Sequence, residues 1–173
     1  METKLGKWFD LDVSARPLFI VSTLLLYVVF AVLGVALLGL SVGESLVGAL
    51  LAVAVHWASE LFHHLGHAWA ARRTGYPMTG VRLGFLIAAS RYPSDEPALP
   101  ARVHIQRALG GPLFSLLLVP IGALLMFSLR AAGGVAWWLA VLLFLDNGLN
   151  VLQLFVPLGF NDGSTVFTWL RRR

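Results

Sequence analysis

The chain has 173 residues, 58% of them apolar and only 13% charged, and it contains no cysteine. A mean hydropathy of +0.78 excludes an ordinary soluble domain, and the missing cysteines exclude disulfide frameworks and thiolate metal sites. The net charge of +4 would point to nucleic acid in a soluble protein; in so apolar a chain it reports membrane topology, and no nucleic-acid partner is expected.

Four apolar segments, 17–40, 46–71, 107–129 and 134–156, are long enough to cross a bilayer, at about 1.5 Å per residue and roughly 20 residues per crossing. The expected fold is an all-α polytopic membrane protein, one domain over residues 1–173, with a short β-ribbon between transmembrane helices two and three. The first segment follows Lys4, Lys7 and Arg16 and is too long for a cleavable signal peptide, so it reads as a retained anchor. The second carries His56, Glu60, His63, His64 and His67, ionisable groups at a depth where they are costly and mark function.

In the connection that follows, Val81, Leu83, Phe85 and Ile87 alternate as a strand or ribbon does, and "YPSDEPALP" reads as a proline-rich turn region. The third segment holds Gly111 and Ser115, a small-residue pair that permits close helix approach. The fourth adds Asp146, Asn147, Asn150 and Gln153; these either join helices by hydrogen bonds or line a cavity for substrate. It is interrupted at Pro157, and "LGFNDGSTVF" then leads to the run Arg171–Arg173, read as an interfacial anchor.

With four crossings, every Lys and Arg except Arg130 falls on the side of the termini, which the positive-inside tendency makes cytoplasmic. Trp69 and Trp169 fall at that edge, and Trp137 and Trp138 at the outer one, as aromatic belts do.

The polar stripe of the second segment is the chemical core of the sequence. His56, Glu60, His63 and His67 fall within a helical arc of about 60°, with His64 rotated away from them. Histidines four apart can present two nitrogens to one metal, the helical half of a zinc site whose third ligand comes from elsewhere. Asp162 can reach the same depth from the same side; its competing role is to cap the helix that follows it.

These residues resemble the site-2 protease family of intramembrane zinc metalloproteases. Its HELGHxxAAR pattern is matched by "HHLGHAWAAR" (residues 63–72) except at the glutamate, its Gly-Pro by Gly111-Pro112, and its NxxPxxxxDG signature in part by "LFVPLGFNDG". The resemblance implies zinc on His63, His67 and Asp162. It implies an extended membrane-protein or peptide substrate added as a strand to the ribbon around Val81, Leu83 and Phe85, and residence in a prokaryotic cell membrane. Asn147 and Asn150 are candidates for lining the substrate path. His64 stands where the family has its general base, Leu154 and Ser115 where it has asparagines, so the sequence reads as a divergent member. A neutral imidazole at His64 can accept a proton; Glu60 is the other candidate base, or a hydrogen-bond partner of an imidazole.

Three further readings stay open. The chain could be a zinc-binding pseudoprotease that holds membrane clients without cutting them, or a transition-metal transporter or sensor. Haem ranks last, because the only histidine outside the second segment is His104.

Overall fold

The computed structural model describes residues 2–172; Arg173, the last of the C-terminal arginines, lies outside them. The elements run β1 (Thr3–Trp8), β2 (Leu11–Ala15), α1 (Pro17–Leu38), α2 (Val42–Arg73), β3 (Gly80–Leu83), β4 (Ala88–Arg91), α3 (Ala101–Leu129), α4 (Gly134–Leu152) and α5 (Asp162–Leu170), with a 3-10 turn at Gln153–Phe155. Among the described residues, four helices are long and apolar enough to cross a membrane: α1, α2, α3 and α4 with its 3-10 extension. The protein is therefore mainly helical and polytopic, as the apolar segments predict.

Local chemistry sets the helix ends. Pro17 opens α1, where its missing N–H costs nothing, and Gly39 closes it in the left-handed conformation. Ser41 and Glu44 cap α2 reciprocally, which starts that helix earlier than its apolar pattern suggests. α3 likewise begins at Ala101, so Arg102, His104 and Arg107 ride on its first turns.

The ribbon is half of a larger sheet. The strand order is β1-β2-β3-β4, with β1–β2 and β3–β4 antiparallel and β2–β3 parallel. The first hairpin turns through Phe9 and Asp10, both at positive φ, as a two-residue hairpin requires. Leu11, Val13 and Ala15 are buried while Asp12 faces out. Leu11, Ala15, Val81, Leu83 and Ala88 pack on Val53, Trp57, Ala68 and Ala71 of α2, so the sheet is clamped to the helix that carries the histidines.

Tryptophan at the outer edge does a different job from the one its sequence position suggests. Trp138 is buried with Leu40, Ala49 and Ala52, its ring lying where side chains on Gly34 and Gly48 would project. Packing between α1, α2 and α4 buries more of an indole than an interfacial belt would.

α2 and α3 cross at Gly66 and Gly110, where a Cβ on either would overlap the other's backbone carbonyl. Gly66→Ala is therefore expected to force the helices apart and to destabilise the fold by about 1–3 kcal/mol, read as a lowered unfolding midpoint in detergent.

Candidate metal centre

His63 and His67, one turn apart on α2, meet Asp162 from the start of α5. His63 Nε2 lies 3.0 Å from His67 Nε2 and 3.1 Å from Asp162 Oδ2, and His67 Nε2 lies 3.4 Å from Asp162 Oδ1. Two tetrahedral zinc ligands at 2.0–2.1 Å from the metal stand about 3.3 Å apart. The donor triangle has that size.

The far side of each ring fixes which nitrogen faces the centre. His67 Nδ1 sits 2.8 Å from the Arg107 carbonyl, to which it donates. His63 Nδ1 sits 3.0 Å from the Ser115 hydroxyl, a group able to accept its proton. With the ring protons on Nδ1, each Nε2 presents a lone pair toward the other and toward the Asp162 carboxylate, so that three acceptors converge. A cation satisfies that arrangement. Gly111 keeps the space open, since a Cβ there would overlap Nε2 of both histidines. The residues present fit a metal ion.

Asp162 is free for this role because its neighbour does the capping. Asn161 Oδ1 accepts from the Ser164 amide at 3.1 Å, and its Nδ2 donates to the carbonyls of Gln153 and Val156 at 2.9 and 2.7 Å. Asn161 thus closes the loop from α4 and caps α5, the role weighed for Asp162. Gly163 lets the start of α5 rest on the carbonyls of Gln153 and Leu154. A capping residue three before Ser164 was the available signal, and the more conspicuous aspartate hid it.

A cavity of about 580 Å3 opens onto the triad, lined among others by Glu60, His64, Ala88, Arg107, Asn150 and Phe160. His64 Nδ1 donates to the Glu60 backbone carbonyl at 2.8 Å, leaving Nε2 as the acceptor. Glu60 is 4% exposed and lies outside the donor group; its carboxylate accepts from the Ala88 amide at 2.8 Å and the Asn150 side chain at 3.3 Å, not from an imidazole N–H.

The residues expected to meet substrate separate into two sets. Asn150 lines the cavity. Asn147 is fully buried and donates to Ser59 at 3.0 Å, joining α4 to α2. Val81 and Leu83 are 2% and 4% exposed, on an interior strand whose core-facing side chains pack on α2, while Phe85 is exposed at the hairpin tip. The sheet edge that lines the cavity is β4, through Ala88, Ala89 and Ser90.

At the cavity wall the Arg107 guanidinium pairs with Glu96 and donates to the Tyr76 carbonyl. The hydrogen bonds from Arg107 hold the Glu96 carboxyl below its usual range, and burial pushes the Tyr92 hydroxyl up to about 12. Arg107 is more than a topological charge: its buried pairing ties the 92–100 loop to α3.

Ser115→Ala removes the hydroxyl that orients His63. Metal affinity of the candidate centre is expected to fall about 10–100-fold with helix content unchanged, measured by competition with a chelating dye.

Taken together, these features define a four-span membrane protein with a candidate His-His-Asp metal centre. Its fold is similar to that of the site-2 protease from Methanocaldococcus jannaschii, with a TM-score of 0.66 and 16% sequence identity over 100% of this chain and 73% of that one. No family model matches the sequence, and no curated protein matches it.

Proposed function

We propose that the chain is a site-2-protease-like intramembrane zinc metalloprotein that hydrolyses peptide bonds in or near transmembrane segments of other proteins. The observation that carries this reading is the convergence of two Nε2 atoms and a carboxylate, at 3.0–3.4 Å spacing, in a cavity walled on one side by a sheet edge. A transporter needs a path through the molecule and a haem site an axial partner; a three-donor centre beside a strand edge suits neither as well as it suits a peptide.

When bound, zinc would lower the pKa of water and polarise a peptide carbonyl. The chain's own residues supply the rest. His63, His67 and Asp162 would hold the metal, with Ser115 and Arg107 behind the two rings and Asn161 capping the helix that begins at Asp162. β4 offers outward backbone groups to an extended peptide, the mode in which a strand is added to a sheet edge. His64 offers Nε2 as proton acceptor. Both termini, the sheet and the basic residues lie on the cytoplasmic side of a prokaryotic cell membrane in this reading.

The test is reconstitution in liposomes with a single-span substrate. Cleavage abolished by a zinc chelator and restored by zinc supports the reading. Purified protein that takes up no zinc overturns it. Stoichiometric zinc without cleavage leaves the zinc-binding pseudoprotease, which the imidazole at position 64 specifically favours.

A further inference from the structure

The metal donors use one end of the α2 polar stripe; its other end, His56 and Glu60, holds the β3–β4 hairpin. His56 Nε2–H donates to the Leu86 carbonyl at 2.9 Å, at a tip where Leu86 adopts a φ of 63°, a conformation that costs a branched residue energy unless its surroundings hold it. One turn along, Glu60 Oε2 accepts from the Ala88 amide at 2.8 Å. Both side chains are braced from α4, again one turn apart. Asp146 Oδ1 lies 3.3 Å from His56 Nδ1, and Asn150 Nδ2 donates to Glu60 Oε1 over 3.3 Å.

We propose that His56–Asp146 and Glu60–Asn150 form a two-rung ladder whose task is to position edge strand β4 over the donor triad. The assignment rests on the reading of β4 as the docking edge. His63 follows Glu60 by three residues, so hairpin contacts and metal donors share one face of one rigid helix, and the ladder sets the height of the strand relative to the metal. That distance matters, because a misplacement of about 1 Å can cost on the order of 100-fold in rate.

The ladder also defines how much of the edge is free. The Arg91 carbonyl accepts from the Thr79 amide, so Arg91 faces β3. By strand alternation Ala88 and Ser90 turn their amides outward. Glu60 already occupies the Ala88 amide, and the outward amide left for an incoming peptide is that of Ser90. These four residues act through the hairpin and are positioning residues.

Hydrogen exchange of the 84–92 segment, with zinc content measured on the same purified samples in nanodiscs, tests the proposal. His56→Ala and Glu60→Ala are expected to speed exchange about 10-fold while zinc stays at the wild-type level. Glu60→Gln, which keeps a carbonyl acceptor for the Ala88 amide, is expected to restore protection. Unchanged exchange in both alanine variants overturns the ladder. So does a glutamine variant as loose as the alanine one, or zinc lost in step with hairpin protection, which would assign the ladder to the donors instead. Wild-type protein that takes up no zinc, with the exchange pattern as expected, refutes the metalloprotein reading and leaves the ladder standing.

Discussion

Zinc content of the purified protein is expected to fall from about one equivalent to near zero when His63, His67 or Asp162 is replaced by alanine. Each variant removes one corner of a triangle with edges of 3.0, 3.1 and 3.4 Å, and two protein ligands alone do not retain zinc through purification. The loss should exceed the roughly 10–100-fold that follows removal of a partner behind a ligand, which separates these variants from Ser115→Ala. Asp162→Asn is the sharper control. It keeps the size of the side chain and, with Asn161 doing the capping, should leave α5 in place while removing the charge that balances the metal. Full zinc retention in all three alanine variants would end the metal-centre reading.

The histidine stripe was readable because helical periodicity is rigid: residues four apart must stack, whatever surrounds them. The spans were readable for a similar reason, since crossing hydrocarbon demands a long apolar run. Asp162 followed from depth alone, but its freedom to bind did not. That depended on Asn161 taking the cap, a competition between adjacent residues that both favour the position.

What sequence did not disclose was chiefly non-local. Val81 and Leu83 alternate as a strand should, yet alternation does not say which face is buried or which edge is free. Both are decided by β2, a five-residue strand just ahead of the first span, whose Leu11, Val13 and Ala15 turn inward. Once β2 pairs in parallel with β3, β3 becomes interior and β4 becomes the edge at the cavity. Trp138 shows the same limit. Its position near a helix end suits a belt, and only the glycines at 34 and 48, remote in sequence, make a pocket for it. Glu60 was legible as a buried carboxylate on the ligand face, but its partners come from β4 and α4, neither of which a single helical wheel contains.

His64→Glu is expected to raise cleavage of a single-span substrate by about 100-fold or more, within the 10²–10⁴ range that a positioned general base contributes. The position suits it: residue 64 is buried beside the donors, its ring centroid 5.4 Å from that of His63 and 5.4 Å from that of His67, and it lines the cavity. In the native chain its Nδ1–H donates to the Glu60 carbonyl, which both orients the ring and limits its reach. A glutamate has no proton to donate there, so it would turn toward the cavity and present a carboxylate to the reacting water. An imidazole that accepted a proton would become a cation beside a bound divalent metal, whereas a carboxylate would become neutral; this charge difference, more than basicity, is the ground for the expected gain. If wild type cleaves measurably and the variant cleaves faster, His64 is a working but weaker base. If only the variant cleaves, the native chain holds clients without cutting them. If the variant binds zinc at the wild-type level and still cleaves nothing, hydrolysis of transmembrane substrates is the wrong reading of this cavity, because metal, base and strand edge would all have been supplied.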